Sequence, residues 1–390
     1  MKLRLTLVVG VCLFSVLVAA TPALAASVAV GTCLPNKVSF DSLTDAVQGV
    51  PPGSTILVCP GVYAEQIVIN KSLTLKGQTS GNAAYPVLVP PAGGLVGNAV
   101  SLNVFSFFAN GTPLAAQILI QGGVTVTITD MAVDGTGANV PACNPLVVGI
   151  FVQDSSLTLN GVAMKNHLQT SPSVCFGAAV LSQNDSANPT TTKVQNSTFV
   201  NGGQAFEADG ASNTSTLTNN SFAGNPASNA NAISVLGGNS TIQGNTISNY
   251  TFPPAADVNS AAFGIFLECV PGGTVANNTI ATTQAGIFLQ LPGCPTTGVS
   301  ITGNKISDSQ FIGIDVGETN GLVQGNDIRT SQTAIRIPGA SAGNTIQNNT
   351  INDTCAAFGS NPAAGANTIL NNNISNALNL AIVNTTGSCP

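Results

Sequence analysis

Glu207 and Asp209 are the first residues of this chain whose types and spacing point to chemistry. Two apart on an extended strand, they face the same way at about 6.5 Å, near the separation of acid and base in an inverting glycosidase; two acids on one face also arise by chance. A second set is spread over matching positions of a repeat: Glu268, Asp315 and Arg336, with Glu318 just beyond Asp315, and Phe266, Phe288 and Gln290. Carboxylates so placed would serve as acid, base or cation ligand. The guanidinium would pair a carboxylate, and the phenyl rings would offer apolar faces to sugar rings. His167 is the only histidine. It falls in Lys165-Asn166-His167-Leu168 with Ser171 and Ser173 nearby. It reads as a polar turn residue rather than the base of a triad, which needs a shaped oxyanion site. A single His excludes a zinc centre of two or three histidines.

The composition narrows the classes further. Of 390 residues only 7% are charged, with 10 Lys+Arg against 16 Asp+Glu and a net charge of −6. So few cations exclude nucleic-acid binding, which rests on Lys/Arg contacts to phosphates. A hydrophobic fraction of 44% argues against disorder. Residues 1–25 read as a secretory signal: Lys2 and Arg4, an apolar run from Leu5 to Ala20, then Ala23-Leu24-Ala25 before a mature start at Ala26. Loss of Lys2 and Arg4 takes the net charge to −8. No later stretch approaches 20 uninterrupted apolar residues, so no membrane span is expected after signal removal. The expected location is extracellular or periplasmic.

The cysteines agree with export. Cys12 lies in the signal, and Cys33, Cys59, Cys143, Cys175, Cys269, Cys294, Cys355 and Cys389 remain. An even count fits disulfides in an oxidising compartment. Taken as sequential pairs they are 26, 32, 25 and 34 residues apart. No C-x-x-C is present, so no structural metal or redox motif is expected.

The elements that must position these residues come from a repeat. An apolar residue, x, Gly or Asn, Asn, x, then Ile or Phe recurs as LTNNSF (217–222), IQGNTI (242–247), VANNTI (275–280), ITGNKI (301–306), VQGNDI (323–328), IQNNTI (346–351) and ILNNNI (369–374). Weaker copies are VTITDM (126–131), LTLNGV (157–162) and VQNSTF (194–199). The ladder position then reads Thr129, Asn160, Ser197, Asn220, Asn245, Asn278, Asn304, Asn326, Asn349 and Asn372. After each unit comes small-apolar-x-apolar, as in GIFV (149–152), GIFL (264–267 and 286–289), GIDV (313–316) and AIRI (334–337). The alternation marks strands with one buried face. A period in the twenties with three short strands per unit predicts a β-solenoid whose coils stack about 4.8 Å apart. Asn suits its tight corners because it tolerates positive φ, and stacked amides can bond along the ladder. Cysteine pairs one coil apart would bridge neighbouring coils.

Ahead of the repeats, Phe40, Leu43, Ala46 and Val47 mark one face of a short helix stopped by Pro51-Pro52-Gly53. Strands follow at Thr55–Val58, Gln66–Ile69 and Leu73–Leu75. A capping helix followed by Pro60, Gly61, Tyr63, Glu65, Ile69, Lys71, Leu73, Leu75 and Gly77 resembles the start of right-handed parallel β-helix proteins of the pectin-lyase-like superfamily. With the Asn-bearing units, the resemblance covers about residues 37–384. It implies an all-β, single-stranded right-handed parallel β-helix of roughly a dozen coils with a short N-terminal capping helix. The expected layout is a signal at 1–25 and one β-helix domain at 26–390, with cap and first coils at 37–77 and Asn-ladder repeats at 124–384.

The resemblance is specific for fold and not for activity, because this architecture hosts lyases, hydrolases, esterases and non-enzymes. Gln153-Asp154 is only a faint echo of the methylesterase motif, and the Gly-His-Gly of polygalacturonases is absent. The resemblance also implies that substrates lie along the GIFL-type strand. Its outward row would be Phe151, Ala179, Glu207, Ser234, Phe266, Phe288, Asp315 and Arg336, with Gln153, Asp209, Glu268 and Gln290 two residues on. Two readings of this face stay open. One is a saccharide groove; if it is catalytic, Glu268, Asp315 and Arg336 would carry the reaction, with Ca²⁺ as cofactor in a lyase. The other is a surface ion pair between Asp315 and Arg336, with the phenylalanines covered by a loop such as 250–261. The expected function is a secreted protein that contacts a polysaccharide or cell-surface glycan without turning it over and without a cofactor. Its rivals are a polysaccharide lyase or glycoside hydrolase and a purely structural or adhesive solenoid.

Overall fold

The computed structural model describes residues 24–79, 85–102, 110–140, 144–168, 177–225, 230–252, 261–290, 294 and 296–383. Residues 1–23 of the expected signal and Cys143, Cys175 and Cys389 lie outside the described residues.

Each coil has the three-strand form that the repeat predicts. One example runs Thr190–Gln195, Thr198–Val200 and Gln204–Asp209 before the next coil starts at Asn213. The first strands of successive coils form a 14-stranded sheet that ends at Thr368–Leu370, and the other two strands of each coil form a 23-stranded one. Every described pairing is parallel except Ala99–Val100, which runs antiparallel to the start of Pro113–Ile120. Apolar residues at alternate positions fill the interior in stacked rows. One row runs Ile128, Leu159, Val194, Leu217, Ile242, Val275, Ile301, Val323, Ile346 and Ile369. On the second strand Phe199 and Phe222 stack at 4.6 Å, close to the coil spacing.

The small residue opening each long strand has a steric cause. Gly149, Ala179, Ala205, Ala232, Gly264, Gly286, Gly313, Ala334 and Ala357 share one row. A Cβ at Gly286 would meet Gly313 O at 2.6 Å and Ile306 Cγ2 at 2.7 Å, so only minimal side chains fit.

The N-terminal end is capped as expected by the helix Leu43–Gly49, which buries Leu43, Ala46 and Val47. The Ser42 side chain accepts from Asp45 N–H as N-cap. Glu65 accepts from Leu43 N–H and Thr44 N–H, both at 2.8 Å, and Lys71 donates to Gln48 O and Val50 O at the other end. Acid at the start and base at the finish oppose the helix dipole favourably. The Glu and Lys of the front-end motif therefore attach the cap to the first coil.

The asparagine corner differs from expectation at its start. The stacked position is Met131, Val162, Ser197, then the asparagines from Asn220 to Asn372; Thr129 and Asn160 lie on the preceding strand, where Asn160 pairs Gln195. Met131 and Val162 are buried, so the first coils close this corner with apolar side chains. The preceding residue takes the left-handed turn, at φ 51 for Asn196, 56 for Asn219 and 55 for Asn277. From Ser197 on, each backbone N–H donates to the side-chain oxygen of the next coil, as Asn245 N does to Asn278 Oδ1 at 2.9 Å. Each Asn Nδ2 also donates to that oxygen and to a backbone carbonyl of the coil before, as Asn278 does to Asn304 Oδ1 and Ile242 O. Every amide is thus used on both sides.

Candidate functional site

The expected face is the outer row of the long strand. Register places Leu119, Phe151, Leu181, Glu207, Ser234, Phe266, Phe288, Asp315, Arg336 and Gly359 in line. Leu181 holds the place expected for Ala179, which belongs to the small-residue row. Beside it run Gln153, Gln183, Asp209, Leu236, Glu268 and Gln290. The row is as expected, but it is not an open groove.

In the first half, Glu207 and Asp209 are fully buried. Asp209 Oδ2 accepts from Gln183 Nε2 at 3.0 Å, while Gln183 Oε1 accepts from Leu102 N–H at 2.9 Å. The stretch around Ala99–Leu102 thus lies over this part of the face, and Leu114, Leu119, Phe151 and Leu181 form an apolar cluster beneath it. The two acids share one side of the strand, as expected, but both side chains are covered rather than open to solvent.

In the second half, Phe266 and Phe288 are 2% and 7% exposed. They stack on Phe263, at 5.3 and 4.5 Å, instead of offering their faces outward. Leu236, Ala285 and Ile312 complete the cluster. Phe263 was missed in the sequence: three residues before Phe266, it would fall on the opposite side of a regular strand, so alternation gave no sign that the two rings stack. Segment 253–260 lies outside the described residues. Its flanks are held by buried Gln284, whose Oε1 accepts from Phe252 N–H and Ala262 N–H at 2.8 Å each.

The electrostatic centre is Asp315 with Arg336. Asp315 is fully buried, whereas the Arg336 side chain is 14% exposed. Nε and Nη2 of Arg336 both donate to Asp315 Oδ2, and the guanidinium carbon lies 5.5 Å from the centre of the Phe288 ring. The exposed surface pair expected here is therefore a largely buried one, layered on an aromatic, with only an edge of Arg336 reaching solvent. Burial pushes the Asp315 carboxyl up to about 7, although the Arg336 charge and hydrogen bond pull it down. Its Oδ1 has no hydrogen-bond partner.

The remaining acids separate. Glu268 is half-buried two coils from Asp315, about 10 Å along the axis. Burial raises its carboxyl above the usual range. It precedes Cys269, which is bonded to Cys294 across neighbouring coils; Cys33–Cys59 is likewise a one-coil bridge, and Cys355 is also in a disulfide. Glu318 leaves the face altogether. Gly321 occupies a second stacked corner between Val299 and Asn344. The Glu318 carboxyl fills the space that a Cβ at Gly321 would take, accepting from Val299 N–H at 2.8 Å. It thus stands in for an Asn, as Asn344 and Asn367 do in the following coils. Burial pushes it up to about 8, and Oε1 is unpartnered. Glu268, Asp315 and Arg336 therefore do not converge on one reacting atom, and Glu318 and Gln290 add no second acid beside the pair.

His167 corrects the sequence reading most sharply. It is fully buried rather than a polar turn residue. It packs against the backbones of Gly135 and Gly149, where a Cβ at Gly149 would sit 2.6 Å from Nε2. Neither ring nitrogen has a hydrogen-bond partner, and burial depresses its pKa to about 4, with Asp134 opposing. Ser171 and Ser173 lie outside the described residues.

Two family models match the sequence: "Right handed beta helix region" over residues 177–294 and "Periplasmic copper-binding protein (NosD)" over 255–388. The chain has the right-handed parallel β-helix fold. Solved structures agree on the fold. The surface adhesin PfbA of Streptococcus pneumoniae superposes with a TM-score of 0.58 at 12% identity, covering 88% of each chain. The GH136 lacto-N-biosidase of Eubacterium ramulus gives 0.56 at 10%, covering 90% of this β-helix and 68% of that chain. The Azotobacter vinelandii mannuronan C-5 epimerase AlgE4 A-module gives 0.53 at 13%, covering 88% and 94%. No curated protein matches the sequence. No described helix is long and apolar enough to cross a membrane.

The copper in one family description does not fit these residues. Span 255–388 has no His and no Met. Glu268, Cys269 and Cys294 are the closest grouping of ligand types among the described residues, but both sulfurs are in the disulfide. One carboxylate is left where copper needs imidazole, thioether or thiolate.

Proposed function

We propose that this β-helix is an exported protein that contacts an acidic polysaccharide or cell-surface glycan around Arg336 and does not turn it over. The carrying observation is the Arg336 guanidinium, fixed on one edge by Asp315, backed by Phe288 and still reaching solvent. Its free N–H edge suits a uronate carboxylate. Disulfides across coils support an oxidising compartment. The neighbouring folds include an adhesin, a lacto-N-biosidase and a mannuronan epimerase, which supports a glycan as the class of partner. Against turnover stands the separation of Glu268 from Asp315, too wide for both to serve one glycosidic bond in a retaining geometry.

The proposal carries a pH dependence. Below about pH 7 Asp315 takes up a proton and no longer neutralises Arg336. An anionic glycan should then bind more tightly at pH 6 than at pH 8. The test is titration of the purified protein with alginate, polygalacturonate and a neutral glucan at both pH values, beside Arg336→Ala. Binding to an acidic polymer that weakens at least tenfold in the variant is expected. Equal binding by both proteins would overturn the role of Arg336. Unsaturated products lost with EDTA would make the protein a Ca²⁺-dependent lyase, and new reducing ends alone would make it a hydrolase.

A further inference from the structure

Glu268, Cys269 and Cys294 form a cluster that neither the coil nor the glycan face explains. One ligand atom from each lies within 4.8 Å of the other two, and all three residues are partly exposed. Cys269 and Cys294 come from neighbouring coils and are joined as a disulfide. A disulfide is uncharged and gives a carboxylate nothing to pair with. Among the described residues no side chain or N–H donates to the Glu268 carboxylate. The other acids of this face are held, Asp209 by Gln183 and Asp315 by Arg336.

The backbone brings the three together. Strand Phe263–Glu268 ends at Glu268, and on a continuing strand Cys269 would point to the opposite side. Instead Cys269 takes φ 60, a left-handed turn that in this chain falls mostly to Asn, Asp and Gly. Its sulfur thereby lies beside the Glu268 carboxylate. The bridge Cys33–Cys59 also crosses one coil, with neither such a turn nor an acid in the same reach, so crossing coils requires neither.

We infer that Glu268, Cys269 and Cys294 hold a zinc-class divalent cation when both cysteines are thiolates, and that the disulfide is the closed form of the same site. Two soft sulfurs with one carboxylate oxygen are a donor set that zinc accepts. Ligands of a tetrahedral zinc stand about 3.3–3.8 Å from one another, within the span of this cluster. Partial exposure leaves the fourth position to water. Binding displaces the two thiol protons. Oxidation by a disulfide acceptor forms the Sγ–Sγ bond, releases two acceptor thiolates and frees the cation. A dithiol reverses the step, giving its two protons to the cysteine sulfurs as it closes to a disulfide.

The test reduces the mature protein with a dithiol, removes the dithiol under nitrogen, and titrates with Co²⁺ and then Zn²⁺. A thiolate-to-Co²⁺ absorption band in the near ultraviolet is expected, and Zn²⁺ should abolish it. Glu268→Gln keeps both sulfurs and should weaken Co²⁺ binding at least tenfold, since losing a mere hydrogen-bond partner of a ligand already costs about 10–100-fold. Cys269→Ser combined with Cys294→Ser should lose the band. In the reduced wild type, Zn²⁺ should also shield Cys269 and Cys294 from alkylation while Cys33 and Cys59 react, read by peptide mass spectrometry. That assay needs no substitution, so it decides even where a variant fails to fold. A reduced wild type without the band would overturn the inference. So would a band that survives the double variant, an unchanged affinity in Glu268→Gln, or equal alkylation of all four cysteines.

Discussion

The asparagine corner and the outer face of the long strand are both buried and both polar, yet they are built on opposite terms. From Asn245 to Asn349 every corner amide donates and accepts twice, and each Oδ1 answers a backbone N–H. On the outer face Asp315 keeps one oxygen unpartnered, and nearby Glu318 does the same. A neutral amide costs little once its bonds are made, whereas a carboxylate must also lose its hydration. The corner therefore contributes stability at any pH. The acids near the face make stability and charge follow pH, which suits a contact surface better than a framework.

Three substitutions would sharpen or break that contrast. Asn278→Ala should have the largest effect. It removes four hydrogen bonds and strands Asn245 N–H and Ile242 O in the interior. A loss of about 5 kcal/mol, independent of pH, is expected in denaturant unfolding. Glu318→Gln should be smaller and pH-dependent. The folded value of about 8 lies above the ordinary 4.5, so wild-type stability is full below pH 4.5 and falls as pH rises to 8. The amide can still accept from Val299 N–H, and the variant should gain about 4 kcal/mol on wild type between pH 4 and pH 9. A flat difference would mean that Glu318 is hydrated. His167→Phe should show the opposite slope. A folded value near 4 against 6.5 means that stability is lost as pH falls from 6.5 to 4. The variant should recover about 3 kcal/mol across that window, read from melting curves at pH 7 and pH 4.

The sequence made the coil legible because its rules are local. Asn278 and Asn304 had to stack because positive φ and a two-sided amide are needed at each corner. Cys269 and Cys294 lay one coil apart, and Phe266, Phe288, Asp315 and Arg336 fell into register by counting. Coverage was not legible. Whether Phe288 meets solvent depends on Phe263 and on what is anchored at Gln284, neither fixed by the repeat. Glu318 was misplaced because its role answers the missing side chain at Gly321, three residues on. His167 looked polar in isolation, and only the flanking Gly135 and Gly149 show that an imidazole fills their space. Thr129 and Asn160 matched the motif by letter but sit two residues before the corner, where Met131 and Val162 do the same job without an amide.

The asparagine ladder ties each coil to both neighbours, its N–H reaching forward to the next coil's side chain and its Nδ2 back to the coil before. Asn372 closes it, its Nδ2 bound back to Ile346 O and its Oδ1 to Asn349. Under a pulling force at the C-terminus, the chain should therefore peel rather than shear. Each detached coil frees the 23 residues that separate Asn326, Asn349 and Asn372, about 8 nm of extended chain at ~3.5 Å per residue. Peeling would be interrupted first at the disulfide of Cys355 and again where Cys269–Cys294 ties two coils together, making each disulfide a mechanical stop.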